Sequence, residues 1–164
     1  MPCLLPLKIV LFTLLIPGAV TVYIPLRLLS PPVITPLSLL HLPALLAMLC
    51  GALIYLRCAW DFAIQGKGTP APLDPPKHLV IAGLYRRTRN PMYQGVILLL
   101  LAECVYFGDT TLLLYAGTVA LVFHLFVVFY EEPALLRRFG TDYSGYCRHV
   151  PRWGFAWQAF TARD

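Results

Sequence analysis

The stretch that decides the fold is MYQGVILLLLAECVYF (Met92–Phe107), GDTT (Gly108–Thr111) and LLLYAGTVALVFHLFVVFY (Leu112–Tyr130). Two apolar runs, each close to the roughly 20 residues that a bilayer crossing needs, are separated by four polar or small residues. So short a linker permits only a hairpin. It carries no Lys or Arg, which places it on the non-cytoplasmic side under the positive-inside rule.

Two further apolar runs lie upstream, at about 9–29 and 36–56, separated by the turn signal Ser30-Pro31-Pro32. Pro17, Gly18 and Pro25 interrupt the first. A membrane span tolerates them where neighbouring helices re-satisfy the freed backbone groups. No small-x-small cleavage site follows Met1–Ile16, so this segment is read as a retained span. Arg57 is expected to close the second run.

Composition agrees with a membrane reading. The 164 residues are 59% hydrophobic and 13% charged, with a mean hydropathy of +0.70, whereas a soluble domain carries about 25% charged residues. The net charge of +5 is not spread as in a nucleic-acid binder. It falls in two blocks beside apolar runs, Arg57, Lys67, Lys77, Arg86, Arg87 and Arg89, then Arg137, Arg138, Arg148, Arg152 and Arg163. Placing both blocks on one side requires four spans with both termini cytoplasmic. Cys3, Cys50, Cys58, Cys104 and Cys147 show neither CxxC nor Cys/His spacing, so no disulfide framework and no metal site is expected.

The expected architecture is an all-α integral membrane protein in one domain, 1–164. It has four transmembrane helices (about 9–29, 36–56, 92–107 and 112–130), a cytoplasmic loop over 60–90 and a tail over 131–164 holding short C-terminal helices. In the tail, Pro133 suits a helix first turn and Glu131-Glu132 suits the positive end of its dipole. One short helix, Ala134–Phe139, is expected to stop at Gly140. A second, from Asp142 to about His149, is capped by Thr141 and ended by Pro151. Trp153, Phe155 and Trp157 fit a segment lying at the interface.

Four polar features converge once the hairpin is formed: the segment from Lys77 to Tyr85, Arg89-Asn90-Pro91-Met92-Tyr93 at the mouth of the third span, Glu131-Glu132 at the end of the fourth, and the tail from Phe139 to Arg152. Asn90 and Glu131 then lie at one depth, and Arg89 is placed to pair with Glu131. Carboxylates, an amide, phenols and backbone groups at a helix start suit a polar ligand with an aromatic ring to stack. Each feature has a plainer reading. The arginines hold a loop to anionic lipid, and Glu131-Glu132 cap a helix. Tyr143 and Tyr146 pack on one helical face, and His124 is a helix–helix hydrogen-bond partner. Glu103, near the far end of its span, is expected to reach toward Asp109.

The combination resembles the isoprenylcysteine carboxyl methyltransferase family and its bacterial relatives, a group akin to the phospholipid methyltransferases. The carriers are His78-Leu79-Val80, Gly83-x-Tyr85, Arg89-Asn90-Pro91-x-Tyr93, Glu131-Glu132 and the tail from Phe139 to Arg152, within about Gly66–Trp153. The resemblance implies S-adenosylmethionine as cofactor, bound by Lys77, His78, Leu79, Val80, Tyr85, Asn90, Pro91, Met92, Tyr93 and Glu131. It implies methyl transfer to a lipophilic or small amphipathic acceptor taken from membrane lipid. Glu132 and His78 are candidate bases, and Arg148 and Arg152 are candidate cations for an acidic acceptor. Val127 stands where the prenylcysteine enzymes carry a substrate-binding arginine, so the resemblance does not extend to that acceptor. The implied location is a membrane with the site facing the cytoplasm, a bacterial inner membrane being the best fit. Two other readings stay open: an NADPH-dependent membrane reductase related to sterol reductases, and a non-catalytic membrane scaffold.

Overall fold

The computed structural model describes residues 5–29, 39–66 and 78–161; their regular structure is all helix, with no strand among them, and 78–82, 87–90 and 150–161 are irregular. The N-terminal element begins as α1 (Leu5–Leu15), passes Pro17 and Gly18 through a widened π turn (Ala19–Tyr23), and ends as α2 (Ile24–Leu28). A π turn leaves its polar groups looser than an α-helix does. Side chains repair this: the Tyr115 hydroxyl, from another helix, donates to the Val20 carbonyl at 2.9 Å, and Thr21 Oγ1 donates locally to the Pro17 carbonyl at 2.8 Å.

α3 (Leu42–Asp61) continues into a second π turn, Phe62–Gly66. It starts later than the apolar run and does not stop at Arg57. The Arg57 guanidinium lies 3.2 Å from the Asp61 carboxylate one turn on, so the helix carries its charge as a pair and proceeds. α4 (Pro91–Phe107) and α5 (Thr110–Phe126) form the hairpin, joined by Gly108 and Asp109 alone. Asp109 Oδ1 accepts from the backbone N–H groups of Thr111 and Leu112, capping α5, and these bonds hold its carboxyl below the usual carboxylate range. A third π turn, Val127–Glu131, leads into α6 (Glu132–His149), which bends at Gly140.

α3 and α4 make the most extensive pairing among the described elements. A β-carbon on Gly51 would lie 2.7 Å from the Gly95 carbonyl oxygen, and one on Gly95 would lie 2.9 Å from that of Gly51, so the two backbones touch where both side chains are absent. Around this crossing Tyr55, Ala59, Val96, Leu100, Cys104, Leu112 and Ala116 form the core. A hydrogen bond of 3.2 Å between Thr13 and Tyr55 ties the N-terminal helix to it. Outward, Leu14, Leu15, Val105, Leu114 and Phe129 are more than half exposed, an apolar exterior that lipid solvates. The helical stretches 10–28, 42–65 and 110–149 are long and apolar enough to cross a bilayer, and Pro91–Phe107 is a fourth, shorter apolar helix.

Two expectations fail in detail. Glu103 does not reach Asp109. It lines a cavity of about 210 Å³ with Thr21, Met48, Tyr106 and Phe107, because its place on α4 turns it toward the N-terminal helix. His124 does not bond another span. Its Nδ1 accepts from Trp153 Nε1 at 2.9 Å, because the tail folds back along α5.

Candidate active site

At the end of the hairpin that carries the cations, five segments enclose a cavity of about 200 Å³. The continuation of α3 supplies Phe62. The segment before α4 supplies Leu79, Val80, Tyr85, Arg89 and Asn90, and α4 itself supplies Tyr93. The end of α5 supplies Phe126, and the π turn after it supplies Tyr130. The chain through α6 supplies Glu131, Glu132, Leu135, Arg138, Phe139, Tyr143 and Tyr146.

The wall before α4 is rigid because the tail is tied to it. Arg86 Nε donates to the Phe160 carbonyl at 2.7 Å, and Arg87 Nη1 donates to the carbonyls of Trp157 at 2.6 Å and Ala156 at 3.3 Å. Backbone bonds run alongside, from Arg89 N to Pro151 O, from Ala156 N to Arg87 O and from Phe160 N to Arg86 O. Asn90 Nδ2 donates to the Arg152 carbonyl at 3.1 Å, and the Tyr146 hydroxyl donates to the Tyr85 carbonyl at 2.5 Å. Arg86 and Arg87 are thus committed to peptide carbonyls of the tail.

The two adjacent glutamates have different surroundings. Tyr93 donates its hydroxyl to Glu131 Oε2 at 2.9 Å. Glu132 is held by Arg152 through both oxygens at 2.8 Å each, and Arg89 Nη1 lies 3.0 Å from its Oε1. The expected Arg89–Glu131 pair is therefore an Arg89–Glu132 pair. Successive residues on a helix are rotated by about 100°, which turns Glu131 to α4 and Glu132 to the tail. Arg89 Nη1 also donates to Cys147 Sγ at 2.8 Å, while its Nε is buried with no partner among the described residues.

Burial is the main influence on Glu131, the first residue past the fourth span, and it raises the carboxyl above its ordinary 4.5. The Tyr93 hydrogen bond opposes this and the Glu132 charge adds to it. Burial also raises the phenols of Tyr85, Tyr143 and Tyr146, which stay protonated and serve as donors. The Glu132 hydrogen bond raises the guanidinium of Arg152, so that pair remains charged.

Of the residues singled out from sequence, Leu79, Val80, Tyr85, Asn90, Tyr93, Glu131 and Glu132 line the cavity. Pro91 is fully buried as the first residue of α4, and Met92 packs into the apolar core beside it. His78 and Arg148 are exposed and absent from the lining, and Arg152 reaches the site through Glu132. Lys77 lies outside the described residues. Sequence reasoning missed Phe62, Phe126, Tyr130, Leu135 and Arg138. Counting three, four and seven residues from Glu131 along a helical face would have found Ala134, which also lines the cavity, Leu135 and Arg138. Phe62 carries no such signal, because it depends on α3 running past Arg57.

Among the described residues no cluster of His, Cys, Asp and Glu is arranged to hold a metal ion. No curated protein and no solved structure matches the chain. The family model described as phospholipid methyltransferase matches residues 39–142, well over half of the sequence and the part that builds α3, the hairpin and most of the cavity wall. With four apolar helices and this pocket at their end, the chain belongs to the phospholipid methyltransferase family.

Proposed function

We propose that the protein transfers a methyl group from S-adenosylmethionine to a lipophilic or small amphipathic acceptor drawn from the membrane. The observation that carries this reading is Glu131: a part-buried carboxylate, held by one phenol and by no cation among the described residues, facing a cavity walled mostly by aromatic and aliphatic side chains. Such a site favours a ligand that combines positive charge with a flat ring, since aromatic faces and a carboxylate both attract cations. When bound, the cofactor supplies a methyl group on a positively charged sulfur, already poised for displacement.

The residues of this chain have the remaining tasks. Glu131 would hold a positively charged part of the cofactor, with Tyr93 fixing its carboxylate. Val80 and Leu79 give an apolar wall, and Tyr85, Tyr143 and Tyr146 flank it. The tail, strapped down by Arg86 and Arg87, keeps water out, and positioning then provides much of the rate. Glu132 is saturated by Arg89 and Arg152, which makes it a poor base, so we assign these three to holding the tail. His78 and Arg148 lie off the cavity and receive no catalytic role. Phe126 and Tyr130, where the apolar exterior meets the cavity, mark the side from which a lipophilic acceptor would enter. Because the clustered arginines share this end, the site would face the cytoplasm.

Calorimetric titration of the detergent-purified protein with S-adenosylhomocysteine tests the reading. Micromolar binding that is lost in Glu131→Ala, with the helical circular-dichroism signal retained, is the expected result. A folded protein that takes up NADPH but no S-adenosylhomocysteine would overturn it.

A further inference from the structure

Residues 131, 134, 135 and 138 fall at the spacing of one helical face, and all four line the cavity. Two of them are charged, Glu131 and Arg138. They stand seven residues apart, about 10 Å along the axis. The other charges in the lining are engaged with each other: Arg89 approaches Glu132 to 3.0 Å, and Arg152, from outside the lining, grips the same carboxylate. Arg138 has no carboxylate partner among the described residues. Its neighbour is the Phe139 ring, with the guanidinium carbon 5.7 Å from the ring centroid. The cavity therefore presents one anion without a cationic partner and, at its exposed mouth, one cation without an anionic partner among the described residues, two turns apart on a single helix face.

A ligand that satisfies both carries an ammonium and a carboxylate close together, which describes the amino-acid end of the methyl donor. We propose that Arg138 binds the carboxylate of that end, while Glu131 takes its amino group. The inference rests on the methyltransferase reading above and adds an orientation: the amino-acid end lies along α6, and the nucleoside lies toward Leu79, Val80 and Tyr85. Arginine suits this task because its planar fork pairs with a carboxylate through two parallel bonds. Arg137, one position earlier, is also exposed but stays out of the lining, which makes it a control.

The test compares two probes, S-adenosylhomocysteine and 5′-methylthioadenosine, which keeps the nucleoside and lacks the amino-acid end. Arg138→Gln is expected to weaken S-adenosylhomocysteine by roughly ten- to a hundredfold, the range of a charge-assisted pair. Its affinity for 5′-methylthioadenosine should be unchanged, and Arg137→Gln should alter neither. Unchanged S-adenosylhomocysteine affinity in Arg138→Gln would overturn the assignment while leaving the methyltransferase reading intact. Loss of both probes in Arg138→Gln would also overturn it, by showing a structural role. If the wild-type protein binds neither probe, the methyltransferase reading itself fails.

Discussion

The clearest lesson at the scale of single residues comes from Glu131 and Glu132, adjacent in sequence and different in their partners. That both stand out was legible, because two acidic residues at the end of an apolar run need a helix end, a cation or a ligand to face. Which one takes the arginines was not, since the answer depends on a rotation of about 100° and on Arg152 arriving from twenty residues away. The Tyr93–Glu131 bond leads to a pH prediction. A cationic ligand needs the carboxylate, and the carboxyl is raised above 4.5 by burial. Affinity for S-adenosylhomocysteine should therefore fall with decreasing pH before an ordinary glutamate would protonate. Tyr93→Phe removes a bond that lowers the carboxyl, so the loss should begin at a still higher pH. Titrations at a series of pH values would show this. An acid limb centred at or below 4.5 in both proteins would contradict it.

Elements were legible where glycine and proline punctuate the chain, and less so where charge does. The Gly108–Asp109 hairpin and the bend at Gly140 stand where expected, whereas α3 passes Arg57 because Asp61, one turn on, accepts its charge. Gly140 has φ 54° and ψ −121°, a region that side chains avoid, with open space around its α-carbon. Gly140→Ala should therefore cost roughly 1–3 kcal/mol through the backbone alone, or else straighten α6 and displace Tyr143 and Tyr146 from the cavity. Either result would appear as a lowered melting temperature or weakened ligand binding. The Gly51–Gly95 crossing has no signature in either span, because a single glycine in each of two distant helices reveals nothing of their meeting. Gly95→Ala should push α3 from α4 and destabilise by about 1–3 kcal/mol. Thermal unfolding in detergent, followed by circular dichroism, would measure it, and a melting temperature equal to wild type would show that the helices separate freely.

The whole molecule joins a lipid-facing frame to a polar end that the tail closes. The frame was legible from hydropathy, but the closure was not, because arginines that grip peptide carbonyls resemble, in sequence, arginines that grip lipid phosphates. Arg87 shows the difference, with two carbonyl bonds and the Phe155 ring 5.1 Å from its guanidinium carbon. Arg87→Ala should free residues 153–160 from the segment before α4. The expected readout is faster cleavage of the tail in limited proteolysis, together with several-fold weaker S-adenosylhomocysteine binding. Unchanged cleavage would return Arg87 to a lipid-anchoring role. The Glu132 clamp has a further consequence, for the order in which the protein is made. Arg89 and Glu132 leave the ribosome before Arg152. Until that residue emerges and turns back, the membrane holds a nascent chain whose helices are threaded but whose pocket lacks its last wall. The pocket is therefore closed only after the spans are in place, and insertion of the spans does not by itself complete it.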